Sequence, residues 1–187
     1  EANNFYDIVI SLKSSSVFTT IAAYQLMAEK VDYPFHIGIT EAGTPWRGTI
    51  KSAAGIGSLL AQGLGDTLRV SLTGDPVEEV KVGWQILKSL ELRRRGVEII
   101  SCPTCGRTEI DLITLAEKVE KKLAGLNKNI TVAVMGCAVN GPGEAKEADI
   151  GIAGGKKEGL IFKNGEIIKK VKEEELLDEL IKEIEKL

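Results

Sequence analysis

Leu68-Arg69-Val70-Ser71-Leu72-Thr73-Gly74-Asp75-Pro76 is a strand that breaks into a helix within one short stretch. The first five residues alternate and favour the pleated backbone. Asp75 is a helix N-cap, and Pro76 follows at the first helical position, where a missing N–H costs nothing. Val77, Val80, Trp84, Leu87 and Leu90 then recur at helical spacing, which predicts a helix over 76–92. Two similar units precede it. Ile8–Leu12 and Phe35–Ile39 read as short apolar strands, with helices expected at 17–31 and 50–62. In the first helix, Ile21, Ala22, Leu26, Ala28 and Val31 fall near one face. Strands repeat about every thirty residues, the length of a βαβ unit, so a parallel sheet is expected. The pattern suits a barrel segment and an open doubly wound sheet equally.

The pattern changes at Arg93-Arg94-Arg95-Gly96, which divides the chain into expected domains at 1–95 and 96–187. The three arginines suit a solvated helix end opposing the C-terminal dipole. Downstream, strands are expected at 97–101 and 130–135 around a helix at 109–125, with Thr108 and Asp111 as its capping box. Leu160–Ile168 reads as a hairpin turning at Asn164-Gly165. Leu176, Leu177, Leu180, Ile181 and Ile184 mark one face of a closing helix.

Composition narrows the function. Hydrophobic residues make up 43% of 187, enough for a core, and the net charge is −3. No basic field argues for nucleic acid or an anionic membrane. The apolar runs are far too short to cross a bilayer, and no signal-peptide pattern opens the chain. Three cysteines, an odd count, argue against a disulfide framework and for a reducing compartment, the cytoplasm. The chain begins at Glu1 instead of Met, so a fragment or processed product is expected.

Chemistry-bearing residues gather at strand ends. Parallel α/β sheets build their sites there. The first three strands deliver Lys13, Glu41, and Ser71 to Thr73. Converging at one mouth, they suit an anionic substrate beside a proton donor; alternatively, Lys13 and Glu41 simply pair at a solvated rim. His36, the lone histidine, lies early in its strand and reads as structural. Gly63-x-Gly65 and Gly154-Gly155 are weak phosphate signals, better suited to turns and caps.

The cysteines lie in Ser101-Cys102-Pro103-Thr104-Cys105-Gly106-Arg107 and Gly136-Cys137-Ala138-Val139-Asn140-Gly141-Pro142-Gly143-Glu144. Core cysteines, structural zinc and an iron–sulfur cluster compete here. Buried core thiols need no flanking Pro103 and Gly106. Zinc usually takes four strong ligands, and no second Cys-x-x-Cys or nearby histidine exists. Three thiolates suit a cluster best, with Glu144 in reach as a harder, displaceable ligand. Arg107 and the following helix start add positive potential beside an anionic group.

These two motifs, with Ser11-Leu12-Lys13-Ser14-Ser15, Thr40-Glu41-Ala42-Gly43 and Val70-Ser71-Leu72-Thr73-Gly74-Asp75-Pro76, resemble the (E)-4-hydroxy-3-methylbut-2-enyl diphosphate synthase family over essentially the whole chain. The resemblance implies an α/β chain holding the last three βα units of a (β/α)8 barrel, then a small α+β iron–sulfur domain. It implies a [4Fe-4S] cluster on Cys102, Cys105, Cys137 and Glu144. It further implies two-electron reductive opening of 2-C-methyl-D-erythritol 2,4-cyclodiphosphate, with loss of water, fed by reduced ferredoxin or flavodoxin. Glu41 matches the family's catalytic acid. Lys13 and Ser71 match diphosphate-holding positions, and Asn140 a cluster-loop residue that approaches substrate. In the family, one protomer's barrel faces the partner's cluster domain in a homodimer. The barrel's earlier strands and their diphosphate-gripping arginines are absent, so little or no turnover is expected from this polypeptide alone. The alternative, from another class, is an iron–sulfur electron-transfer or redox-sensing module, which would need none of Lys13, Glu41 or Ser71.

Overall fold

In the computed structural model, which describes residues 1–187, the Asp75 carboxylate accepts the Val77 N–H at 2.9 Å and opens a helix with Pro76 in its first turn. The chain forms two units, Glu1–Arg94 and Arg95–Leu187.

The first unit runs α1 (Val17–Ala28), β1 (His36–Gly38), α2 (Pro45–Leu60), β2 (Thr67–Arg69) and α3 (Pro76–Ser89). β1 and β2 pair in parallel, with Ile37 opposite Leu68. The expected strand at 8–12 is reduced to one parallel bridge, Ile10 to Phe35. Tyr24 of α1 explains why. A continued ladder would send the Leu12 N–H to the His36 carbonyl. Instead the Tyr24 hydroxyl stands between them, accepting from Leu12 N at 2.9 Å and donating to His36 O at 2.7 Å. Its ring is fully buried and meets Phe35 edge-on, centroids 5.4 Å apart. That anchor also sets which face of α1 turns inward: Thr20 and Tyr24 are buried, while Leu26, expected inside, is 58% exposed.

α2 begins five residues before its expected start, because Thr44 and Pro45 form its N-terminus. Beside the buried Ile56 and Leu59 it buries a stripe of small residues, Gly48, Ser52 and Gly55. A Cβ on Gly48 would lie 2.5 Å from Leu72, and one on Gly55 2.4 Å from Ile39. The stripe thus brings α2 close against the strand ends. In α3, Gly83 and Ile86 are buried, whereas Val77 and Val80, expected on the inner face, are exposed. α3 also stops at Ser89, so Arg93–Arg95 lie beyond its last turn and Lys88 is the basic residue there.

The second unit runs β3 (Glu98–Ser101), α4 (Leu112–Leu123), β4 (Thr131–Met135), α5 (Gly141–Glu144), β5 (Ile150–Gly154), β6 (Glu158–Lys163), β7 (Glu166–Lys172), a 3-10 turn (Glu173–Glu175) and α6 (Leu176–Glu185). Its sheet has the order β3-β4-β5-β6-β7. The first three strands are parallel and the last two join antiparallel. Period-two alternation sorts the side chains. Val132, Val134, Ile150, Ile152 and Ile161 form one core with Leu112, Val119, Leu176, Leu180 and Ile184 from α4 and α6. Ala133, Met135, Ala153 and Phe162 form a second with Ala145 and Ala148.

The hairpin turns at Asn164 (φ 49°) and Gly165 (φ 80°), the left-handed pair that a two-residue turn requires. β5 is an element the sequence pattern did not separate; its Gly151 lies beneath the Phe162 ring, and Gly154, considered above for phosphate, is a buried strand residue. The capping box is also corrected. Asp111 itself caps α4, accepting the Thr114 N–H at 3.2 Å, and Thr108 lies outside the helix.

Tyr24→Phe leaves the Leu12 N–H without a partner and is expected to cost about 1–3 kcal/mol in denaturant unfolding; an unchanged midpoint contradicts the bridging role. Glu179 of α6 accepts from Lys169 on β7 and from Lys182, and these bonds lower its carboxyl from the ordinary value to about 2. A lowered folded value means the unfolded chain takes up the proton first. The stabilisation is therefore present at neutral pH and lost as pH falls from the ordinary carboxylate range toward about 2. Glu179→Gln should flatten the acid limb of a stability–pH curve, and an unaltered limb contradicts it.

Candidate functional site

Parallel pairing puts the ends of β3, β4 and β5 on one edge of the sheet: Ser101 is in register with Val134, and Met135 with Ala153. Cys102 follows β3 directly, and Cys137 comes two residues after β4. The two cysteine loops therefore leave the same edge side by side.

Backbone hydrogen bonds lock them together. Gly136 donates its N–H to Cys102 Sγ at 3.2 Å, and its carbonyl accepts the Glu109 N–H at 3.1 Å. Thr108 N–H donates to the Cys105 carbonyl at 3.0 Å, closing the Cys-x-x-Cys turn. Gly136 has no room for a side chain: a Cβ would lie 2.9 Å from Thr108 Oγ1 and 3.1 Å from Leu112. Cys102 is half-buried and packs against both cores of the unit. Cys137 is half-buried, Cys105 is exposed, and all three thiols are free.

α5 carries the acidic end of the second motif. Gly141 lets it lie flat on the sheet, where a Cβ would come within 2.9 Å of both Met135 and Ala153. At its other end, the Glu144 N–H donates to the Asn140 carbonyl at 2.8 Å. The Asn140 side-chain amide donates to Glu144 Oε1 at 3.2 Å, so it orients that carboxylate. Across the chain, no three His, Cys, Asp or Glu side chains converge as a single metal ion requires.

In the first unit, the ends of the parallel segments also lie together. Thr40 N–H donates to the Ser14 carbonyl at 3.0 Å, and Thr73 N–H to the Gly43 carbonyl at 2.8 Å. These ties set Lys13, Glu41 and Ser71 on neighbouring loops. Lys13 and Glu41 are exposed, and no ion pair joins them. Glu41 sits at φ 53°, a left-handed conformation rare outside glycine and asparagine. His36 lies at the other end of its strand, hydrogen-bonded through Nδ1 to Thr67 at 2.8 Å, in keeping with a structural role.

Sequence reasoning did not select Arg69. Its Nε donates to Ser71 Oγ at 3.2 Å and its Nη2 to Thr40 Oγ1 at 3.4 Å, so one guanidinium joins the loops after β1 and β2. Gly38 makes the crossing possible, since a Cβ there would lie 3.2 Å from Nη2. The available signal was strand alternation, which places Arg69 on the face of Ser71.

Two family models match the chain in succession. The GcpE TIM-barrel domain matches residues 1–84, and the GcpE protein C-terminal domain matches residues 98–186. The chain is 69% identical over 185 residues to the 4-hydroxy-3-methylbut-2-en-1-yl diphosphate synthase (flavodoxin) of Clostridium perfringens, covering 99% of this chain and 53% of that protein. The protein of that name from Caldanaerobacter subterraneus is 68% identical over 187 residues, covering 100% and 53%. That from Geobacter sulfurreducens is 66% identical over 183, covering 97% and 52%. The chain thus spans about half the length of these curated relatives. Matched by both GcpE domains in order and by such identity along nearly its whole length, the chain belongs to the GcpE protein family.

Proposed function

We propose that this chain is part of a 4-hydroxy-3-methylbut-2-enyl diphosphate synthase, an oxidoreductase of isoprenoid synthesis. The sustained identity to relatives of that name is the observation that carries the reading. The reaction takes 2-C-methyl-D-erythritol 2,4-cyclodiphosphate, two electrons and two protons, and gives (E)-4-hydroxy-3-methylbut-2-enyl diphosphate and one water. The relatives' names support reduced flavodoxin as donor, with ferredoxin as the other candidate. We assign the first unit as the last three βα units of a (β/α)8 barrel that binds substrate, and the second as the cluster domain. The working protein is proposed to be a cytoplasmic homodimer, free of nucleic acid and membrane; three free thiols suit that reducing compartment.

The residues fit a [4Fe-4S] cluster held by Cys102, Cys105, Cys137 and Glu144. Three free thiols and one carboxylate would supply its four ligands, from two loops that leave the same end of the sheet. Gly136 N–H already donates to Cys102 Sγ, as it would to a thiolate ligand. When bound, the group would supply electrons one at a time and a Lewis-acidic iron.

The protein residues do the rest. The Lys13 ammonium and the Ser71 hydroxyl hold the diphosphate; Arg69 keeps Ser71 oriented. Glu41 holds a proton for the departing hydroxyl. Asn140 steadies the Glu144 carboxylate and stands where substrate approaches.

The roles separate by substitution in the full-length enzyme. Replacing Cys102, Cys105 or Cys137 with serine is expected to abolish the iron–sulfur absorbance. Glu144→Ala should leave the cluster assembled and speed its loss in air. Glu41→Gln should keep the cluster and lower kcat about 10²–10⁴-fold. Normal turnover by Glu41→Gln contradicts its role as the acid, and an undiminished chromophore after any of the serine changes contradicts that ligand. The 187-residue polypeptide alone is expected to turn over little or not at all, and measurable turnover by it overturns that expectation.

A further inference from the structure

The Thr108 hydroxyl is shut off from solvent and has no hydrogen-bond partner. An unmatched buried hydroxyl is costly, and valine would fill the same volume without that cost. Thr108 is also not the helix cap its sequence position suggested, since Asp111 takes that role. Its location gives the hydroxyl a use. Its backbone N–H holds the Cys105 carbonyl, and its side chain packs on Gly136, whose own N–H reaches Cys102 Sγ. Thr108 therefore stands where the two cysteine loops meet, with its oxygen 2.9 Å from the position a Gly136 Cβ would take. Gly136 keeps that space open. The two loops are tied here through backbone bonds, Thr108 N–H to the Cys105 carbonyl and Glu109 N–H to the Gly136 carbonyl. Cys102 Sγ, which accepts the Gly136 N–H, is the sulfur at this same junction.

We propose that the Thr108 hydroxyl donates a hydrogen bond to sulfur of the bound cluster, beside the Gly136 amide, and thereby sets its reduction potential. The inference rests on the cluster assignment above. Hydrogen bonds to cluster or ligand sulfur favour the reduced, more negative state and raise the potential. Thr108 acts as a positioning and tuning residue. It is not a ligand, and its replacement should leave iron content intact.

The test is a redox titration of the anaerobically reconstituted 187-residue chain, followed by electron paramagnetic resonance, for wild type, Thr108→Val and Thr108→Ser. Equal iron and sulfide content in all three, a lower midpoint potential in Thr108→Val and a wild-type potential in Thr108→Ser are expected. Equal potentials in wild type and Thr108→Val overturn this inference and leave the cluster assignment standing. A wild-type chain that takes up no four-iron cluster overturns both. Should Thr108→Val not assemble, Thr108→Ser and Thr108→Ala make the same comparison. A potential lower in the alanine variant supports the hydroxyl, and indistinguishable potentials refute it.

Discussion

Three parallel strands ending on one sheet edge are the constraint on which the candidate cysteine site depends. Cys102 and Cys137 are far apart in sequence, and each lies just past the end of its strand. Because Ser101 pairs with Val134, the two loops emerge as neighbours. Slipping β4 by one residue would turn Val132 and Val134 out of the α4–α6 core and put the smaller Ala133 and the unbranched Met135 there in their place. The buried valine and isoleucine set therefore fixes the register, and the register fixes the loops. Stability and chemistry are coupled here through geometry.

Glycine then governs how closely the loops can settle. Gly136 admits Thr108 and Leu112 against its backbone, and Gly141 lets α5 lie on Met135 and Ala153. Either position, given a side chain, forces its loop away from the sheet edge. The first unit uses the same device at Gly38, where the Arg69 side chain crosses β1 to reach Thr40. In each place a missing Cβ is what lets a polar or sulfur-bearing group be aimed.

Much of this was legible in the sequence. Asp75-Pro76, Asn164-Gly165 and the Leu176–Ile184 stripe carry local signals, and each forms the element its chemistry predicts. What stayed hidden depends on contacts distant in the chain. Nothing local tells that Tyr24 inserts its hydroxyl between Leu12 and His36, which stops a strand that Ile8–Leu12 otherwise favours. β5 was obscured because Gly151, Ala153 and Gly154 lower the apparent strand propensity of a fully buried segment. The cysteine and glutamate motifs were legible as chemistry. Arg69 and Thr108 were not, because their roles come from partners brought close only by the fold.

The account stands on the assignment of a four-iron cluster to the edge shared by β3 and β4. Metal and acid-labile sulfide analysis of the anaerobically purified chain tests it most directly. The account predicts about four iron and four sulfide per chain, with negligible zinc. Stoichiometric zinc without sulfide, or a folded chain that takes up neither metal nor sulfide on reconstitution, contradicts it.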